Sequence, residues 1–139
     1  MHYLLDTVTV SELRRDEHKM HPGVREWQVG IGEVWLSVVT LNELCYGIRK
    51  VEKKDPPFAL HLTAWYQRII AQPQRFLILN VDRAIAEQAA DFRAECETPF
   101  EDSLIAATAK VHGLTLATRN TADFEACGIE LVNPWESQS

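Results

Sequence analysis

Short, continuously apolar runs recur along the chain, separated by longer stretches in which apolar residues return every three or four positions. HYLLD (2–6), VWLSVV (34–39), FLILNV (76–81), LTLAT (114–118) and IELV (129–132) read as strands. Helical spacing appears around VSELRR (10–15) and GVREWQVGI (23–31), and then in TLNELCYGIRKVEKK (40–54), which stops before the breaker Asp55-Pro56-Pro57. Further helices read as HLTAWYQRIIAQ (61–72), DRAIAEQAADFRAEC (82–96) and DSLIAATAKVHG (102–113), the last closed by Gly113. Apolar strands alternating with helices predict an α/β protein: three layers, α/β/α, around a mostly parallel sheet of about five strands covered on both faces. In such sheets ligands gather outside the carboxyl ends of the strands.

One aspartate fits this pattern poorly. Counting from Asp102, the positions three, four and seven residues on are Ile105, Ala106 and Ala109, so the acid shares a stripe with apolar and small residues. A carboxylate there costs free energy unless something pairs with it. A helix-start role is already filled, since Thr98, Pro99 and Glu101 read as N-cap, N1 and capping-box acid.

Three more acids fall at the same predicted edge. Asp6 follows the first strand, Glu43 lies in the first turn of the helix after VWLSVV, and Asp123 follows LTLATRN. Each has a local alternative: Asp6 a turn, Glu43 the last member of a Thr40–Glu43 capping box, Asp123 a cap on the turn at DFEA. Together they form a group of carboxylates that repel one another unless a cation intervenes. Mg²⁺ or Mn²⁺ suits such oxygen ligands, and the constellation fits metal-assisted phosphodiester cleavage.

Composition narrows the setting. The 139 residues, 46% hydrophobic, suffice for a single domain spanning 1–139 with a sizeable core. No apolar run reaches membrane-span length, and MHYLLDT lacks the apolar stretch of a signal peptide. Cys45, Cys96 and Cys127 are odd in number and widely spaced, which predicts reduced core thiols in a cytoplasmic protein. A net charge of −6 argues against a broad basic surface gripping nucleic acid, but not against a nuclease that recruits metal ions. Arg49, Lys50, Lys53 and Lys54 form the clearest basic cluster, read either as a solvated helix end or as an RNA-phosphate contact.

Other signals have local explanations. His18 and His21 read as a solvated turn, Asp82 as an N-cap, and His112 as a charge partner of its helix end. Trp65, Tyr66, Ile69 and Ile70 fit a core or dimer face, and Cys45 reads as a small buried hydrophobe.

LLDT…SEL, LSVVTLNELCYGI, EDSLIAATAKVHGLTLATRNTADF and GIELVNPW together resemble PIN-domain ribonucleases, in particular the VapC toxins of type II toxin–antitoxin systems and their FitB-like branch. The segments follow the family order over nearly the whole chain. The resemblance implies an Mg²⁺- or Mn²⁺-dependent endoribonuclease with an acidic, metal-binding site of Asp6, Glu43, Asp102 and Asp123, supported by Thr118 and Asn120. It also implies a homodimer, an RNA substrate and a cognate antitoxin that silences the enzyme, with Ser11 and Glu12 supporting the site or its helix. One departure stands out: the family reads DTN after the first strand, and this chain has Asp6-Thr7-Val8. A catalytically weakened PIN-like binding protein is therefore an alternative. A haloacid-dehalogenase-like phosphatase is another, although Val8 occupies the place of that family's second aspartate.

Overall fold

A computed structural model describes residues 1–136. Five parallel strands, β1 (Tyr3–Leu5), β2 (Val34–Ser37), β3 (Phe76–Leu79), β4 (Thr115–Ala117) and β5 (Leu131–Val132), form one sheet in the order β3-β2-β1-β4-β5. The central strand is held in register by Leu4 opposite Trp35 on one side and Leu116 on the other. Helices α1 (Thr7–Glu12), α2 (Pro22–Gln28), α3 (Val38–Glu52), α4 (Pro56–Ile70), α5 (Arg83–Cys96) and α6 (Phe100–His112) connect the first four strands.

Side chains alternate across a strand, so neighbouring residues feed opposite cores. Leu4 and Leu116 join Ile85, Phe92, Ile105 and Phe124 under α5 and α6. Leu5 and Ala117 join Val10, Trp27, Leu36 and Ile69 on the other face. The three layers predicted from the apolar runs are present.

Several element boundaries differ from the sequence reading, each for a local reason. The expected strand through Val39 ends at Ser37, whose hydroxyl accepts from the Val39 N–H at 3.0 Å and starts α3. Helix α1 begins at Thr7, not Val10, because Asp6 caps it. Helix α4 begins at Pro56, five residues before the expected start, with Asp55 as its N-cap. The Asp-Pro-Pro breaker thus ends one helix and opens the next. Gly113, at φ 64°, closes α6 as expected, and Asp82 caps α5. No helix among the described residues is long and apolar enough to cross a membrane.

Candidate active site

The strand order turns back between β1 and β4, the kind of switch point at whose strand carboxyl ends ligands gather. Asp6 lies there, directly after β1. Its backbone N–H donates to the Ala117 carbonyl at 3.3 Å, continuing the pairing past the strand ends. Its Oδ1 accepts from the Thr9 N–H at 2.9 Å, and its Oδ2 accepts from the Thr118 hydroxyl at 2.6 Å. The short O–H···O distance suits an ionised acceptor. Thr118 is fully buried, and its oxygen also accepts from the Asn120 N–H at 3.1 Å. Thr9 is equally buried, with its hydroxyl on the Ala117 carbonyl at 2.9 Å. Two threonines, one through its backbone N–H and one through its hydroxyl, therefore hold the two oxygens of one half-buried carboxylate.

The other acids arrive from the helices. Asp102 is the third residue of α6 and half-buried, while Glu43 is the sixth residue of α3 and also half-buried. Burial pushes the Glu43 carboxyl above its usual range; the Thr7 hydroxyl opposes this, and the charges of Glu101, Asp102 and Asp6 reinforce it. Burial likewise raises Asp102, with Asp123, Asp6 and Glu101 adding to it. Asp123 ends an exposed 3-10 turn, Thr121–Asp123. All four sequence-predicted acids are thus linked through Asp102 into one electrostatic neighbourhood.

Asn120 reaches Thr118 through its backbone N–H. Arg49, Lys50 and Lys53 lie near the carboxyl end of α3, and Arg49 pairs with Glu52 at 3.6 Å. Val8 is 44% exposed on the first turn of α1. Glu12 accepts from the His21 N–H at 2.8 Å and pairs with Arg15 at 3.4 Å, so it ties α1 to the start of α2.

Both expected capping boxes are absent. Ser37 starts α3 early, so Glu43 sits in the second turn and Thr40 is buried inside the helix. Ahead of α6, Thr98 closes α5 instead of opening the next helix. The N–H groups of Glu97 and Thr98 both donate to the Phe92 carbonyl, with Glu97 left-handed at φ 53°. The Thr98 hydroxyl faces Cys127 Sγ at 3.6 Å, and Pro99 is the N-cap of α6 without a side-chain bond. That releases Glu101, which sequence reasoning had spent on a cap. It joins the acidic group, and the Glu101-Asp102 doublet was the available signal. Cys45 also differs from expectation: it is exposed, while Cys127 is buried.

Among the described residues, no three His, Cys, Asp or Glu side chains stand close enough to hold a metal ion by themselves. Mutual repulsion opposes such convergence. Mg²⁺ usually keeps several waters and takes only one or two carboxylates directly, so the donor chemistry fits a hydrated divalent ion.

The family model for the PIN domain matches residues 3–128. The chain belongs to the PIN-domain family. This PIN domain is 32% identical over 143 residues to the VapC ribonuclease Y4jK of Sinorhizobium fredii, covering 96% of the chain and 97% of that protein. The structure of FitAcB from Neisseria gonorrhoeae matches it with a TM-score of 0.80 at 32% identity, covering 96% of this chain and 99% of that one. A toxin–antitoxin complex from Klebsiella pneumoniae matches with a TM-score of 0.69 at 29% identity, covering 96% and 98% of the two chains. Membership in this family sets aside the haloacid-dehalogenase reading.

Proposed function

We propose that this PIN domain is an endoribonuclease toxin that hydrolyses RNA phosphodiester bonds with Mg²⁺ or Mn²⁺ and is silenced by a cognate antitoxin. The observation that carries the reading is the shared electrostatic neighbourhood of Asp6, Glu43, Asp102 and Asp123, brought from four separate segments to one end of a parallel sheet. A structural role does not account for it, because gathering carboxylates destabilises the fold unless a cation offsets the repulsion. The ribonuclease named among the relatives, and the toxin–antitoxin complex among the matching structures, agree with the chemistry.

In this reading Asp6, Glu43, Asp102 and Asp123 hold the divalent ion, directly or through its waters. When bound, the ion supplies an activated water and neutralises charge on the phosphate. Thr118 and Thr9 fix the direction of the Asp6 carboxylate through one bond to each oxygen. Asn120 donates its backbone N–H to the Thr118 hydroxyl oxygen. The raised Glu43 and Asp102 carboxyls retain protons more readily than ordinary acids, because burial and the neighbouring acids disfavour their charged forms. An RNA substrate goes with a cytoplasmic protein. We further propose a homodimer of single-domain protomers spanning 1–139, in which an antitoxin Arg or Lys docks against the acids.

The test is cleavage of a mixed single-stranded RNA by the purified chain with Mg²⁺, Mn²⁺ or chelator. Metal-dependent cleavage that disappears in Asp102→Asn is expected. A protein that binds RNA but cleaves none under any metal condition would instead be the weakened relative that Val8 suggests. Cleavage persisting in Asp102→Asn would reduce that aspartate to a helix-start acid.

A further inference from the structure

A concavity of about 470 Å³ lies where the end of α1, the turns before α2 and the segments following β4 and β5 meet. Arg15, Lys19, Arg25 and Arg119 line it, with Glu12 as the one carboxylate among them. His18 and His21 add two imidazoles, so seven of its ten lining side chains are charged or imidazole. A chain of net charge −6 thus gathers four of its 14 Lys and Arg residues, from as far apart as positions 15 and 119, around one opening. Like charges repel, so such a cluster costs free energy until an anion enters it.

The protein's own contacts orient these cations without neutralising them. Glu12 pairs with Arg15 at 3.4 Å and accepts from the His21 N–H at 2.8 Å, which fixes the turn against α1. Among the described residues, Lys19, Arg25 and Arg119 enter no ion pair. Arg25 donates to the Glu17 carbonyl at 3.0 Å, and Arg119 lies over the Trp135 ring, 5.5 Å from its centroid. His21 Nδ1 accepts from the Gly23 N–H at 3.1 Å, so the ring's proton sits on Nε2 as a further donor. Packing fixes the wall that carries Trp135. A Cβ at Gly23 would come within 2.7 Å of the Trp135 carbonyl oxygen, so glycine is what lets α2 approach this segment.

We propose that this pocket is a phosphate subsite, separate from the four acids, that grips a phosphodiester of the substrate other than the one cut. The proposal rests on the nuclease reading and deepens it by naming residues that bind substrate. Arg119 ties the pocket to the acids. It lies between Thr118, whose hydroxyl donates to Asp6, and Asn120, whose N–H donates to Thr118. On the other side α1 rises about 9 Å from Asp6 to Glu12, a short step along a polynucleotide. Guanidinium forks and an imidazole N–H match the several acceptor oxygens of a phosphate. An acidic peptide would meet the same cations, but only a polynucleotide held at Asp6 carries further negative charges past the residue beside Thr118.

The test measures Mn²⁺-supported cleavage of a labelled RNA of about twelve nucleotides by Lys19→Gln, Arg119→Gln and the double variant. Arg83→Gln is the control, since it removes an exposed cation from α5 and changes the net charge equally. Each single pocket variant should raise KM about tenfold with kcat unchanged, and the control should do neither. The slope of log kcat/KM against log salt should fall by about 0.7 for each pocket cation removed. Lys19→Arg, which keeps the charge, should keep the wild-type KM; a loss there would make shape, not charge, the cause and overturn the subsite. An effect confined to RNAs with a terminal phosphate overturns the assignment to a phosphodiester. If the wild type cleaves RNA and the pocket variants match it, or if Arg83→Gln is impaired as much as they are, the subsite is overturned and the nuclease reading stands. Variants that keep KM but lose a stable complex with a co-expressed partner protein make the pocket a protein-docking surface, which also overturns it. A wild type that cleaves no RNA overturns the nuclease reading, and the subsite with it.

Discussion

Thr118→Val removes one oxygen and keeps the side chain's shape, so its consequences follow from two hydrogen bonds. The hydroxyl donates to Asp6 Oδ2 at 2.6 Å and accepts from the Asn120 N–H at 3.1 Å, with Thr118 itself fully buried. A hydrogen bond to a charged group contributes about 1.5–3 kcal/mol. Asp6 is only half-buried and Asn120 is exposed, so water replaces part of what is lost, and the lower end applies: about 1.5–2 kcal/mol. For a chain of this size that corresponds to a melting temperature lower by roughly 5–10 °C. Asp6 would keep its bond from the Thr9 N–H but be free to rotate about it. Misplacement of a reacting group by about 1 Å costs on the order of 10²-fold in rate, so RNA cleavage should fall by about that much. Thr118→Ser, which restores the oxygen, should recover most of both losses. Melts in chelator and single-turnover cleavage of a labelled RNA measure the two effects. If the valine variant melted within about 1 °C of wild type and cleaved normally, the Thr118–Asp6 bond would not hold the site together.

Three further outcomes are expected. The Glu43 and Asp102 carboxyls lie above their usual range, so the folded state binds more protons than the unfolded state there; the stability they contribute is full below the ordinary carboxylate values and is lost as pH climbs through the raised ones. Metal-free Asp102→Asn should therefore gain on wild type in melts run upward from about pH 4 and gain less from added Mn²⁺, whereas a constant difference across that range would remove the repulsion argument. Gly23→Ala should destabilise by about 1–3 kcal/mol in denaturant titration, because its Cβ would lie 2.7 Å from the Trp135 carbonyl oxygen and 2.9 Å from that of Pro134, both rigid backbone atoms; unchanged stability would mean that this contact relaxes freely. Under native conditions one thiol, Cys45, should react with a maleimide well before buried Cys127, as peptide mapping by mass spectrometry would show, and equal rates would contradict their burial.

The alternation of apolar runs with helical periods was enough to determine the three-layer fold, because covering a parallel sheet on both faces leaves few other arrangements. The same pattern put Asp6 at a strand end and made Asp102 conspicuous, since a carboxylate on an apolar stripe has a cost that sequence alone reveals. What sequence did not decide was which local partner each polar residue takes. Thr98 followed by Glu101, and Thr40 followed by Glu43, both have the spacing of a capping box, yet Thr98 closes the preceding helix and Ser37 opens α3 before Thr40 is reached. Caps compete for nearby backbone groups with similar energies, so small tertiary preferences choose among them. Glu101 belongs to the acids only because that choice freed it. The bond from Thr118 to Asp6 spans 112 residues, and the basic pocket at Arg119 needs the end of α1, the start of α2 and the segment after β5 side by side. Such contacts exist only after the chain has folded: periodicity records which side of an element is buried, not what lies across from it.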